Sequence, residues 1–180
     1  GRTYFYRFET RAGRSPLGRT RTLAGEGAEH VRLVFASCSN LPHGFFNAYA
    51  SIARRDDLYA VVHLGDYLYE YANEGYGDGR ELGRISDPDR ELVTLADYRR
   101  RHACYKRDPD LQAAHARHPW ITVWDDHESA NNAWREGAHN HQPEAGEGEW
   151  TPRKLAAIRA YHEWMPIRTL PTGLHRRFRF

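Results

Sequence analysis

The chain has 180 residues, and its shares of hydrophobic (40%) and charged (28%) residues are ordinary for a globular domain. Its 26 basic and 24 acidic residues leave a net charge of +2, which excludes a strong overall field for nucleic acid. No apolar run approaches the ~18 residues that span a bilayer, and two cysteines are too few for a disulfide framework. The 11 histidines are more informative, because imidazole commonly binds metals and carries protons near neutral pH.

Residues 1–24 predict a small β region. Residues 3–8 alternate aromatic with polar side chains, which is the period of a half-buried strand, and residues 18–22 predict a second short strand after a turn. Two strands alone are marginally stable in water. We therefore expect residues 1–24 to be the last strands of a β-sandwich domain. The Gly-Glu-Gly sequence at 25–27 predicts a linker to a second domain over residues 25–180.

The second domain begins with a predicted βαβ unit. Residues 31–36 and 59–64 are nearly continuous apolar runs, which are typical of strands buried on both faces. Helical apolar spacing over residues 45–55 connects them. The sequence further predicts helices over 94–106, 109–118 and 151–164, a strand over 120–124 and the start of another over 176–180. Residues 73–89 and 131–150 are expected to be surface loops.

The ends of the three main strands each carry side chains that can bind a metal ion. They are Cys38, then Asp66 with Tyr69, then Asp126 with His127. Open α/β sheets place their sites at such carboxyl ends. Thiolate, phenolate and carboxylate are anionic ligands that favour a highly charged ion such as ferric iron. Asp66 has two carboxylate oxygens and can bridge two ions, the arrangement that clamps phosphoryl groups.

Each of these residues also has a structural interpretation. Tyr69 can be a buried aromatic with a satisfied hydroxyl, and Cys38 a small buried hydrophobic residue. His127 can be a structural histidine bonded to Asp125 or Glu128, or a proton donor to a leaving alkoxide.

Two further features favour structural roles. Cys104 lies in the middle of a predicted helix and fits a packing role well. The three arginines at 99–101 point in different directions on a helix, so we expect a solvated face there rather than a phosphate patch.

Five stretches together resemble the serial motifs of PhoD-like alkaline phosphatases. They are FASCSN at 35–40, HLGDYLYE at 63–70, TLADYR at 94–99, WDDHE at 124–128 and AYHEWMPIR at 160–168. The resemblance covers residues 28–180. It implies an α/β fold, a metallophosphoesterase-like β-sandwich of mixed sheets flanked by helices, of which this chain would hold the N-terminal half.

The resemblance also implies Fe3+ and Ca2+ as cofactors. By motif position, Cys38, Asp66 and Tyr69 would hold iron, and Asp66 would also reach calcium. Asp126 would contact calcium and phosphate, although Asn131 or Asn132 could take that role.

His127 would be the phosphate-contacting acid. The implied activity is hydrolysis of small phosphate mono- or diesters by a metal-activated hydroxide or oxo group, while His127 protonates the leaving oxygen. The implied protein is a monomer that is secreted, periplasmic or at the cell surface.

The alternative is a non-catalytic module that binds metal or phosphate. It arises because the family's further ligands would lie beyond residue 180, so the chain alone is expected to be inactive.

Overall fold

The computed structural model describes residues 1–24, 29–168 and 174–180. The strands are β1 (Thr3–Tyr6), β2 (Glu9–Thr10), β3 (Gly13–Arg14), β4 (Gly18–Arg21), β5 (Leu33–Ala36), β6 (Ala60–His63) and β7 (Trp120–Thr122). The helices are α1 (Asn47–Ala53), α2 (Leu95–Tyr105), α3 (Pro109–Arg117) and α4 (Trp150–Trp164), with short 3-10 turns at Leu41–His43 and Pro143–Ala145. No helix in these ranges is long and apolar enough to cross a membrane.

The first 24 residues form two small antiparallel sheets. β1 pairs with β4 and β2 pairs with β3, so the two strands predicted here are confirmed. Aromatic side chains of this region, including Phe5 and Phe8, are exposed. Membership of a larger β-sandwich stays a prediction, and the predicted linker at 25–27 lies outside the described residues.

A parallel three-stranded sheet in the order β5-β6-β7 organises the rest of the chain. The register pairs Ala36 with His63 and His63 with Thr122, so the carboxyl ends of all three strands lie at one edge. Strands β5 and β6 are joined through α1. The predicted βαβ unit is therefore confirmed, and the pairing of β7 with β6 brings the third strand end to the same edge.

The two faces of this sheet differ in burial. Val61 and His63 are fully buried on one face, within the core that the helices help to form. Phe35 of β5 points the other way and is 63% exposed. The expectation that β5 is buried on both faces is therefore wrong, because the described helices cover only one face.

The helices begin within two residues of the predicted positions and pack in pairs, α1 against α3 and α2 against α4. The Thr94 side chain accepts from the Asp97 N–H, and the Asp97 side chain accepts from the Thr94 N–H, so the two residues form a capping box. Asp108 caps α3, and Pro109 occupies its first turn, where no N–H is needed. Tyr98 and Tyr105 of α2 are fully buried, so α2 anchors the core.

Two further sequence expectations, a strand over 176–180 and a solvated Arg101, need correction. Residues 176–180 form no strand, and the described residues pair no segment with them. The mixed α/β class is confirmed, and the β-sandwich of mixed sheets, of which this chain would hold only a part, stays a prediction. Arg101 is fully buried rather than solvated, because its guanidinium donates to the backbone carbonyls of Tyr69, Pro88 and Arg90.

Candidate metal centre

The backbone brings the first two strand tips, Cys38 after β5 and Asp66 after β6, into direct contact. The Cys38 N–H donates to the Gly65 carbonyl at 3.2 Å, and the Ser39 N–H donates to the Asp66 carbonyl at 2.8 Å. Cys38 and Asp66 both adopt left-handed backbone conformations, with φ of 57° and 52°. Such conformations are uncommon for residues other than glycine and concentrate at functional sites.

The third tip approaches closely because residue 65 is glycine. A Cβ atom at Gly65 would collide with the backbone nitrogen of Asp125, and Gly65 itself has a φ of 113°. A side chain at this position would therefore push the Asp125–His127 turn away from Asp66.

The side chains of the three tips converge on Asp66. Its Oδ2 accepts from the Tyr69 hydroxyl at 3.2 Å and lies 3.6 Å from the Cys38 sulfur. One ligand atom each of Asp66, Asp126 and His127 lies within 4.8 Å of the others. Asp66 thus contacts Cys38 and Tyr69 and belongs to the group with Asp126 and His127, while the Tyr69 and His127 rings lie 4.3 Å apart and Cys38 stays outside the three-residue group.

The other oxygen of Asp66 is the strongest sign that this cluster fits a cation. Asp66 Oδ1 is buried and has no hydrogen-bond partner. Burial raises the pKa of Asp66, and the neighbouring charge of Asp126 adds to that rise while His127 opposes it. A buried carboxylate oxygen without a donor is costly, and a bound cation would remove that cost.

Tyr69 and Cys38 fit the same interpretation. Burial, followed by the charges of Asp66 and Cys38, raises the pKa of the Tyr69 phenol well above its usual value. A cation among these groups would reverse that effect, because it favours the phenolate, thiolate and carboxylate together. Cys38 is exposed, which excludes the packing role considered for it, and neither cysteine is in a disulfide.

His127 is held by a residue that the sequence interpretation missed. Its Nδ1 lies 2.8 Å from Oε2 of Glu70, so its partner is neither Asp125 nor Glu128. Burial lowers the pKa of His127, but the hydrogen bond and charge of Glu70, with the charges of Asp126 and Asp66, raise it above its usual value overall. The Glu70 carboxylate is itself fully buried.

Glu128, also missed as a site residue, joins the second tip to the third. Its carboxylate accepts backbone N–H groups from Asp66 at 3.1 Å, Tyr67 at 2.6 Å and Asp125 at 2.8 Å. Burial raises the pKa of Glu128 to about 7, although the bonds from Tyr67 and Asp125 oppose that rise. Glu128 thus positions the backbone that carries Asp66 and Asp126.

The two asparagines considered as alternatives to Asp126 lie at the edge of the cluster. The Asn132 N–H donates to Asp126 Oδ2, and the Asn131 N–H donates to Glu70 Oε1 at 2.6 Å. Both contacts use the backbone, so these residues hold Asp126 and Glu70 in place. The assignment of Asp126 as a ligand stays a prediction.

Comparisons with known proteins point to one family. A family model described as PhoD-like phosphatase matches residues 33–180. Alkaline phosphatase D of Bacillus subtilis (strain 168) is 41% identical over 190 residues, which cover 99% of this chain and 31% of that protein. A solved structure described as "Structure of PhoD" is 40% identical with a TM-score of 0.81, over 97% of this chain and 33% of that chain.

The chain thus spans about a third of the length of each of these relatives. The family model covers most of the chain, including every candidate site residue. The chain belongs to the PhoD-like phosphatase family.

Proposed function

We propose that the protein containing this chain hydrolyses small phosphate mono- or diesters at the cluster around Asp66. The observation that carries the proposal is the buried, partnerless Oδ1 of Asp66 amid one thiol, one phenol, one carboxylate and one imidazole. Membership of the PhoD-like phosphatase family supports phosphate esters as the substrate class.

The donor set fits Fe3+ with Ca2+. Cys38, Asp66 and Tyr69 would hold iron, and Asp66 and Asp126 would reach calcium, since hard carboxylate oxygens suit calcium and anionic ligands suit ferric iron. When bound, such ions lower the pKa of a nearby water and neutralise charge on phosphoryl oxygens.

The chain itself contributes His127, a general acid held in position by Glu70. Glu70 occupies Nδ1 of His127, which leaves Nε2 as the nitrogen that can give a proton to a leaving oxygen. Burial lowers the pKa of His127, but the nearby carboxylates raise it above its usual value overall, so the ring holds its proton more strongly than a free imidazole does. Asp126 would position the phosphoryl group beside it.

The non-catalytic alternative keeps one argument in its favour. The chain spans about a third of its relatives. A longer protein would add further ligands to the cluster, and the described residues alone would then bind metal without forming a complete catalytic site. We therefore assign the activity to the whole protein, which we propose to be a monomer acting outside the cytoplasm or at the cell surface.

Metal analysis combined with a turnover assay tests the proposal. The purified full-length protein should contain iron and calcium, hydrolyse a nitrophenyl phosphate ester and absorb visible light through phenolate-to-iron charge transfer. Tyr69→Phe should remove that absorption. Metal without turnover would support the binding module instead, and zinc alone in active enzyme would contradict the ligand assignment.

A further inference from the structure

Glu70 is a fully buried carboxylate with three donors around it. His127 Nδ1 lies 2.8 Å from its Oε2, while the Asn131 N–H and the Asn140 side-chain amide each donate to its Oε1 at 2.6 Å. An ionised carboxylate can only accept hydrogen bonds. Each of the three groups that meet Glu70 must therefore present a hydrogen to it.

This requirement concerns the Nδ1 side of the His127 ring, whether the ring is neutral or protonated. Nδ1 must carry a hydrogen, and in the neutral ring Nε2 is then the acceptor. Two partly buried carboxylates differ in this respect, because Glu91 and Glu147 both bind the guanidinium of Arg153. Among the described residues, the ion-pair partner of Glu70 is His127, so Glu70 is directed at the site rather than at an arginine.

We propose that Glu70 is the positioning residue for His127: it fixes the orientation of the ring and keeps a hydrogen on Nδ1. Carboxylates play this part behind many histidines at metal and catalytic sites. The expected rate effects rest on the proposed function, whereas the expected ring geometry does not.

Glu70→Gln is the informative substitution. Glutamine keeps the size of the side chain but offers one carbonyl oxygen and one NH₂ group. Donors stand on both sides of residue 70, so the NH₂ group must face either His127 or the loop amides. If the NH₂ group faces His127, Nδ1 must become an acceptor, so we expect the ring either to shift or to carry its hydrogen on Nε2 in the variant.

Kinetics on two substrates distinguish a specific effect on His127 from a non-specific loss of active structure. In the full-length enzyme, Glu70→Gln should lower kcat about 10–100-fold on an alkyl phosphate ester, the usual range for a group that supports a site residue. The loss should be smaller on a nitrophenyl ester, whose leaving group needs little protonation, and KM should change little. In a His127→Ala background, Glu70→Gln should add almost nothing, because the two residues act as one unit.

Two control variants isolate the contact that matters. Asn140→Ala removes a donor to Oε1 but leaves the His127 contact intact, and Glu91→Gln repeats the carboxylate-to-amide change at the partly buried ion pair with Arg153. Both should keep near-normal rates on the alkyl ester. A loss in Asn140→Ala equal to that in Glu70→Gln would show that Glu70 anchors the loop rather than the ring.

A crystal structure of full-length Glu70→Gln gives the result that does not need turnover. A displaced His127 ring supports the proposal, even if the wild-type protein hydrolyses no phosphate ester and the proposed function fails. A ring that keeps both its position and the hydrogen on Nδ1, the latter read from the nitrogen chemical shifts of the ring, would overturn it, as would an equal rate loss on both esters that is additive with His127→Ala.

Discussion

Two buried aspartates, Asp66 at the strand tips and Asp97 at the start of α2, differ in how fully their carboxylate oxygens are hydrogen-bonded. Their exposed fractions are similar, 7% and 2%. Asp97 accepts from the Thr94 N–H, the Thr94 hydroxyl and the Arg90 guanidinium, and these bonds outweigh burial and lower its pKa. Asp66 has an oxygen without a partner, and burial raises its pKa.

The difference separates a structural region from a functional one. At the start of α2 the protein supplies every partner that its charges need. At the strand tips it leaves a carboxylate oxygen unsatisfied and holds Cys38 and Asp66 in left-handed conformations, each of which costs on the order of 1–3 kcal/mol. Burial with an incomplete set of partners, rather than burial alone, thus marks the place for a ligand.

The largest expected effect comes from Asp66→Asn. Phosphate-ester hydrolysis by the full-length enzyme should fall close to background, because bound cations supply several kcal/mol of transition-state stabilisation and about 1.36 kcal/mol is tenfold in rate. Folding stability of the metal-free protein should change little or rise, since a buried unpaired charge is removed. A variant with most of its wild-type kcat would place the chemistry away from Asp66.

His127→Ala should have the next largest effect, and it should depend on the leaving group. Alkyl phosphate hydrolysis should slow by about 10²–10⁴-fold, the usual contribution of general-acid catalysis, with a markedly smaller loss on the nitrophenyl ester. Metal content should stay near wild type. His118→Ala is the control, because His118 contacts the Ile52 carbonyl away from the site. Equal losses on both esters would make His127 a phosphate-binding group instead.

Asp97→Asn should affect stability and leave the rate per folded molecule unchanged. We expect a loss of about 1–2 kcal/mol, as for charged hydrogen bonds, measured by denaturant unfolding. The pKa of Asp97 is lowered by folding, so its contribution is present above the unfolded pKa of about 3.9 and is lost as pH falls through the lower folded value. The gap between variant and wild type should therefore shrink below about pH 4. A gap that grew there would contradict this sign.

The smallest effect is expected at the second cysteine. Cys104→Ala should cost only packing, about 1 kcal/mol, because Cys104 lies within α2 and packs against the core. Cys38→Ala, the matched change at the strand tip, should instead lose iron and activity. Equal activity losses in the two variants would show that the thiols act together, contrary to their separate, unpaired state.

Local sequence patterns could predict the position of the site because they determine where parallel strands end. Three apolar runs, each followed by Cys38, Asp66 or Asp126, were enough to expect one cluster at one sheet edge. The same patterns could predict the cap at Thr94, which depends on residues only three positions apart.

The supporting contacts could not be predicted in this way. Glu70 meets His127 across 57 residues and Glu128 meets Asp66 across 62, and such contacts depend on how the loops pack. The position of Glu70, four residues after Asp66 in the same motif, was the one available signal. The exposed Phe35 was missed because an apolar run predicts a strand without showing whether both of its faces are covered.

Metal content of three purified full-length proteins tests the central claim most directly. Wild type and Asp97→Asn should carry the same iron and calcium, measured by elemental mass spectrometry, because Asp97 is satisfied by the protein itself. Asp66→Asn should lose them, because the partnerless carboxylate oxygen is the group that a cation would bind. Wild-type metal content in Asp66→Asn would contradict the account.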